Sequence, residues 1–296
     1  MDEVIHTGAE IPGFSMRTAH YLACASFCAY EEPDDWVRKL GLKQRIAPFT
    51  CGQFHGFVGS LGELMLLAFR GTESVGNCLT DAETPLVSRE PYSGRVHQGF
   101  AGAVETVWAD VTRLLGAPWR CPPLWITGHS LGGAMATLSS VRLASEGYVI
   151  RAVYTYGSPR AGDERFHDCY RLANYRFVND DDLVPHLPFR WCYKHVGRLE
   201  LVDSQGGLLE QMEAWQEKKR ILAAKAKRVQ RAHRGRHGTH REFDDFDWLA
   251  DHRIGSYLGA IGKILPRVPH LRRPNLAANT SLSRLRERDH EPWCPG

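Results

Sequence analysis

A serine with a glycine two residues away on each side, Gly128-His129-Ser130-Leu131-Gly132, sits between an apolar run and a run of small residues. The apolar run is Leu124-Trp125-Ile126-Thr127; the small-residue, helix-like run extends from Ala134 to Ala144. Strand, sharp turn and helix in that order form a nucleophile elbow, which lifts a serine hydroxyl out of the backbone toward a carbonyl carbon. Such a turn is strained and has no room for side chains at the two flanking positions, so glycine there has a steric reason. The hydroxyl needs a base to take its proton. That base is usually a histidine whose tautomer a carboxylate holds. In hydrolases built on this elbow the chain order is serine, then acid, then histidine.

The elements that would carry these groups are legible from the hydrophobic pattern. Residues 17–30 read as an amphipathic helix, and 53–70 as a hairpin with apolar strands Gln53–Gly59 and Glu63–Phe69. Residues 71–95, polar and dotted with Gly and Pro, read as a loop. A helix over 98–115, the strand 124–127, a helix over 131–146, a strand Val149–Tyr156, a helix Asp163–Leu172 and a strand Asn174–Val178 follow. Alternation of this kind predicts an α/β sheet, mostly parallel, with helices on both faces.

The acid belongs on the loop after a late strand, and Val178-Asn179-Asp180-Asp181-Asp182-Leu183-Val184-Pro185 supplies one. Its three aspartates are equivalent by spacing. The histidines that follow are His186, His195, His233, His237, His240, His252, His270 and His290. His186 is too close to the acid loop to reach back from a separate element. His233, His237 and His240 lie in or beside a basic run and read as exposed polar residues. His252 precedes a small apolar helix, as a base loop should, and leads the remainder. An oxyanion hole needs the backbone N–H of Leu131, after the nucleophile, and a second donor from a loop after an earlier strand. Leu66-Leu67-Ala68-Phe69-Arg70-Gly71-Thr72 has that form, with Thr72 as the donor.

These residues also carry a resemblance. Phe69-Arg70-Gly71-Thr72, Val96-His97-Gln98-Gly99-Phe100, Thr127 through Ala134, Tyr154 through Gly162 and Val178 through Pro188 occur in the order of the class 3 triacylglycerol lipases. The chain thus resembles the fungal-lipase-like branch of the α/β-hydrolases over roughly residues 60–190. The resemblance implies an α/β-hydrolase fold and a lipase acting on fatty-acyl esters of glycerol or similar lipids through an acyl-enzyme. It selects Asp182 as the acid, because the family's acid directly precedes the Leu-Val-Pro-x-Leu-Pro stretch. It selects Thr72 as the oxyanion residue and favours His252, in Asp251-His252-Arg253-Ile254-Gly255-Ser256-Tyr257, as the base. His97 and His129 fall at signature positions with structural roles. Two departures stand out: the stretch Glu73–Glu83, where the family carries a lid helix, has only a weak apolar face, and the insertion between acid and base is long and basic.

That insertion, residues 208–241, holds ten Lys/Arg against three Glu, a surplus larger than the net +3 of the whole chain. Leu208, Met212, Trp215, Leu222, Ala226 and Val229 fall near helical spacing, predicting a basic amphipathic helix. Such a helix suits peripheral contact with an anionic membrane, or could overhang the site as a lid. It lacks the interleaved aromatics of a nucleic-acid surface. The alternatives to a lipase are a phospholipase A1-type or short-chain esterase drawn to membranes by this helix, and a catalytically dead lipid-binding scaffold.

The remaining expectations are general. The organisation is one hydrolase domain over 1–262 with the insertion at about 208–241, followed by a Pro/Arg-rich tail over 263–296. No window of the chain has the apolar length of a membrane span. The acidic N-terminus lacks the pattern of a secretory leader, which predicts a cytoplasmic protein, or one exported by another route or with its signal removed. The eight cysteines show neither CxxC nor zinc-ligand spacing and read as reduced thiols. Neither a metal nor an organic cofactor is expected.

Overall fold

The computed structural model describes residues 14–31, 40, 46–61, 64–72, 85–179, 182–188, 192–202 and 252–265. The basic segment 208–241, the stretch 73–83, Asp180, Asp181 and the chain beyond Leu265 lie outside them.

Helix α1 (Met16–Cys28) comes first, followed by strands β1 (Ile46–Cys51), β2 (Phe54–Leu61) and β3 (Leu64–Phe69). Two three-residue strands, β4 (Leu86–Ser88) and β5 (Arg95–His97), lead into helix α2 (Gln98–Leu115). Strand β6 (Leu124–His129), helix α3 (Leu131–Ser145), strand β7 (Ile150–Tyr156), helix α4 (Glu164–Cys169) and strand β8 (Asn174–Asn179) continue the alternation. Strand β9 (Arg198–Val202) and helix α5 (Ile254–Ile264) complete it. Among the described residues the main sheet has seven strands in the order β1-β2-β3-β6-β7-β8-β9. The first three pair antiparallel; from β3 to β9 every pairing is parallel. This is the α/β-hydrolase fold.

The sequence explains the layering. Along β3, Leu66 and Ala68 face one side and Leu67 and Phe69 the other, as the two-residue period of a strand requires. Along β7, Ala152, Tyr154 and Tyr156 share a side that Val153 opposes. Helices α2 and α3 cover the Leu67 side, and α1 and α5 cover the Leu66 side. The stripe Phe100, Val104, Val107, Val111 and Leu115 of α2 is buried at helical spacing. Burial of each such side chain contributes about 1.5–3 kcal/mol. His97 Nδ1 accepts the Phe100 N–H at 3.3 Å and caps α2, the structural role expected of it.

The sequence reading left β1, β4, β5 and β9 unassigned as strands, and the helix expected over Asp163–Leu172 ends at Cys169. β4 and the start of β5 lie inside the span read as loop, and pair with each other in a separate two-stranded sheet. β1 carries Pro48, which lowers strand propensity, yet β1 is an edge strand, where a missing N–H is tolerated. β9 forms the opposite edge. Helix α5 ends at Ile264.

Candidate active site

The serine elbow follows from backbone sterics. Ser130 adopts φ 56° and ψ −128°, the only positive φ outside glycine among the described residues. A non-glycine residue held there costs on the order of 1–3 kcal/mol. The surroundings fix it: the Ser130 N–H donates to the Tyr156 carbonyl at 2.9 Å, and its own carbonyl accepts from the Gly133 N–H at 2.9 Å. Gly128 and Gly132 let α3 fold back onto β6 and β3. A Cβ on Gly128 would strike the Gly132 carbonyl, and one on Gly132 would strike the Phe69 carbonyl and approach the Arg70 carbonyl carbon to 2.9 Å. Ser130 therefore sits at the C-terminal end of β6, against the loop that follows β3. Ligand sites of open α/β sheets lie at these strand ends.

Asp182, fully buried, follows β8. Its carboxylate accepts three donors: His252 Nδ1 (3.0 Å to Oδ1, 2.9 Å to Oδ2), the Tyr257 hydroxyl (2.6 Å to Oδ2) and the Val184 N–H (2.9 Å to Oδ1). These replace the water that burial removes. His252 lies just before α5 and is buried as well. Because Nδ1 donates its proton to Asp182, Nε2 carries the lone pair. That Nε2 is buried and has no hydrogen-bond partner among the described residues. Gly157, at the end of β7, abuts both groups: a Cβ there would lie 2.8 Å from Asp182 Oδ2 and 3.0 Å from His252 Nδ1. The His252 ring packs on His129, the neighbour of Ser130, with centroids 4.6 Å apart.

The expected oxyanion residues flank the serine. Leu131 is the first residue of α3, so its N–H has no acceptor within the helix. Gly71 lies against the elbow; a Cβ on it would come 3.0 Å from Ser130 Cβ. Thr72 is the next residue, half-buried. His129 is buried, and that burial, followed by the proximity of His252, holds its pKa well below the usual 6.5.

The strand ends thus bring together Ser130, Leu131, the Gly71-Thr72 turn, Asp182 and His252. Of the other described histidines after the acid, His195 turns Nε2 to the Pro185 carbonyl at 2.6 Å. His233, His237, His240, His270 and His290 lie outside the described residues. Sequence reasoning missed two members, Tyr30 and Tyr257. Tyr257 had a signal, since it stands five residues after the histidine within the same short segment. Tyr30 has none, being 99 residues from its partner His129.

Comparison with known proteins agrees with this geometry. The family model of lipase (class 3) matches residues 66–191. The secreted mono- and diacylglycerol lipase 1 of Fusarium solani is 34% identical over 154 residues, covering 49% of this chain and 45% of that protein. Phospholipase A1-II 3 of Oryza sativa subsp. japonica is 30% identical over 179 residues, covering 48% of this chain and 42% of that protein. The chain spans about half the length of the curated relatives it matches. Among solved structures, the triacylglyceride lipase of Rhizomucor miehei superposes with a TM-score of 0.53 at 27% identity, covering 62% of this chain and 78% of that one. The lipase of Rhizopus microsporus var. chinensis gives 0.54 at 25% identity, covering 67% and 79%. With the elbow, the strand order and the matched segment in agreement, residues 66–191 are similar to the class 3 lipases, and the chain has an α/β-hydrolase fold.

Proposed function

We propose that this chain is a serine carboxylester hydrolase of the lipase type, cleaving fatty-acyl esters of glycerol or similar lipids. The observation that supports this most is the Asp182–His252 pair, whose geometry leaves the Nε2 lone pair buried and without a partner among the described residues, on a ring packed against His129, the neighbour of the strained Ser130. In this reading Ser130 Oγ attacks the ester carbonyl carbon while His252 Nε2 takes the hydroxyl proton. Asp182 stabilises the imidazolium that forms. The carbonyl oxygen, now an oxyanion, binds the N–H groups of Leu131 and Thr72; loss of one such donor typically costs about 100- to 1,000-fold in rate. The intermediate collapses and the C–O bond breaks. His252 returns the proton to the departing alkoxide, leaving an acyl-enzyme on Ser130. A water then repeats the sequence, with His252 as base and Ser130 as leaving group, and the fatty acid is released.

A panel of p-nitrophenyl esters of increasing chain length, with Ser130→Ala alongside, tests the reading. Expected are activity toward fatty-acyl chains in the native protein and its loss in the variant. Full activity in Ser130→Ala overturns the mechanism. A chain that fails to take a fluorophosphonate label would instead be a lipid-binding scaffold.

A phospholipase A1-type specificity is the second reading, favoured by the likeness to the rice phospholipase and by the basic surplus of residues 208–241. It predicts binding to vesicles that rises with anionic lipid content, together with release of the sn-1 acyl chain. Vesicle binding indifferent to anionic lipid counts against it.

A further inference from the structure

Three hydrogen bonds run through the site as one chain. The Gly71 N–H meets the Tyr30 hydroxyl oxygen at 3.0 Å; that hydroxyl meets His129 Nδ1 at 2.8 Å; His129 Nε2 meets the His252 carbonyl at 2.6 Å. Their chemistry fixes a direction. A carbonyl only accepts, so His129 Nε2 carries the proton. Burial keeps the ring neutral. Nδ1 is then an acceptor, Tyr30 donates to it, and a lone pair of the Tyr30 oxygen takes the Gly71 N–H. Each polar atom of the chain has the role its neighbour needs.

The chain joins four segments that are remote in sequence: the turn before Thr72, the end of α1, the elbow and the base loop. It is also packed. The Tyr30 and His129 rings meet edge to face at 5.8 Å, and the Arg70 guanidinium lies over the Tyr30 ring at 5.3 Å. His252 is consequently held at two points, its Nδ1 by Asp182 and its carbonyl by His129. Gly71 is held by the same chain at its far end.

We propose that Tyr30 and His129 are positioning residues: a directional relay through which the oxyanion turn and the base loop are set against Ser130. The proposal rests on the hydrolase reading above. Neither residue touches the reacting atoms. Their effect comes through geometry, where a displacement of about 1 Å can cost on the order of 100-fold in rate.

Tyr30→Phe keeps the ring and removes both hydroxyl bonds. His129→Gln keeps an amide donor for the His252 carbonyl and removes the Nδ1 acceptor. Each is expected to lower kcat on a p-nitrophenyl ester by about 10- to 100-fold with KM nearly unchanged. Because the two act as one unit, the double variant should cost no more than the worse single. Wild-type kcat in Tyr30→Phe, even with a lowered Tm, overturns the proposal, as does a double variant whose loss is the product of the singles. Nitrogen-15 NMR of the native protein reads the same relay without any substitution: the His129 ring should carry its proton on Nε2, and a proton on Nδ1 overturns it. Ser130→Ala separates the two levels. If that variant is inactive and Tyr30→Phe is fully active, the relay alone fails. If Ser130→Ala keeps full activity, the hydrolase reading fails.

Discussion

His252 Nδ1 lies 3.0 Å from one oxygen of Asp182 and 2.9 Å from the other, so one ring N–H is shared across a fully buried carboxylate. The symmetrical contact sets the plane of the imidazole, and the Tyr257 hydroxyl and Val184 N–H hold the carboxylate from two other sides. The ring can therefore neither flip nor exchange tautomers without breaking a bond that water cannot replace. This pairing supports the base-and-acid assignment and leads to the first prediction.

Asp182→Asn retains shape but presents an amide where the carboxylate accepted. The histidine loses the tautomer in which Nε2 is the base. Expected is a fall in kcat of about 10,000-fold, by analogy with serine hydrolases in which the same exchange imposes the wrong tautomer. Steady-state kinetics on a p-nitrophenyl ester checks it, and a loss under tenfold would contradict the assignment.

Tyr257→Phe removes one of three donors to Asp182 and leaves the ring in place, edge-on to Tyr156 with centroids 6.1 Å apart. A hydrogen bond to a charged group contributes about 1.5–3 kcal/mol, so stability should fall by that amount. The loss in kcat should be far smaller than that of Asp182→Asn, because the His252 contact survives. Urea denaturation measures the first and kinetics the second; an unchanged unfolding midpoint would show that the hydroxyl contributes nothing.

Two glycines of similar helical context should respond in opposite directions. Gly132 faces the backbone of Phe69 and Arg70, whereas a Cβ on Gly102 in α2 meets nothing within 4 Å. Gly132→Ala drives α3 away from β3 against backbone that cannot yield, at a cost of about 3 kcal/mol or more. Gly102→Ala should stabilise by roughly 0.5–1 kcal/mol through helix propensity. Paired thermal melts decide; equal shifts in the two variants would mean that the close approach at Gly132 is not what its glycine serves.

Stability should fall as pH drops below about 6.5. His129 is held neutral in the fold by burial and then by His252, while in the unfolded chain it titrates near 6.5. Its contribution is fully present above that pH. Below it the unfolded chain binds a proton that the folded chain refuses, so stability is lost as pH descends toward the depressed folded value. One histidine contributes a slope of at most about 1.4 kcal/mol per pH unit. His195, lowered by burial and then by Arg176 and Arg160, acts in the same direction. Urea melts at pH 7.5, 6.5 and 5.5 test the sign: rising stability over that interval would refute it, and His195→Gln should flatten the slope.

Much of this arrangement is legible locally. The two-residue alternation of β3 and β7 and the helical stripe of α2 specify which faces are buried, and Gly128, Ser130 and Gly132 specify a turn that other residues cannot make. The elements that escaped reading are those whose signal is weak for physical reasons. β4 and β5 have three residues each, too few for a period, and β1 contains a proline that only an edge position accommodates.

What the sequence by itself determined is what depends on near neighbours along the chain: the elbow and its glycines, the alternating layers, the Gly71-Thr72 turn and the identity of Leu131. By spacing the three aspartates were interchangeable, and only the likeness to a known family ranked them; its place before a small apolar helix already put His252 ahead of the other histidines, and the likeness favoured it further. The tertiary structure decided which of the described residues meet. It joins Asp182 to His252 across 70 residues and Tyr30 to His129 across 99, and it adds Tyr257 to the acid. The reason is that a hydrogen bond depends on distance in space and on the partner left available after burial. A strand order that sets β6, β7 and β8 side by side fixes both, and no local pattern encodes it.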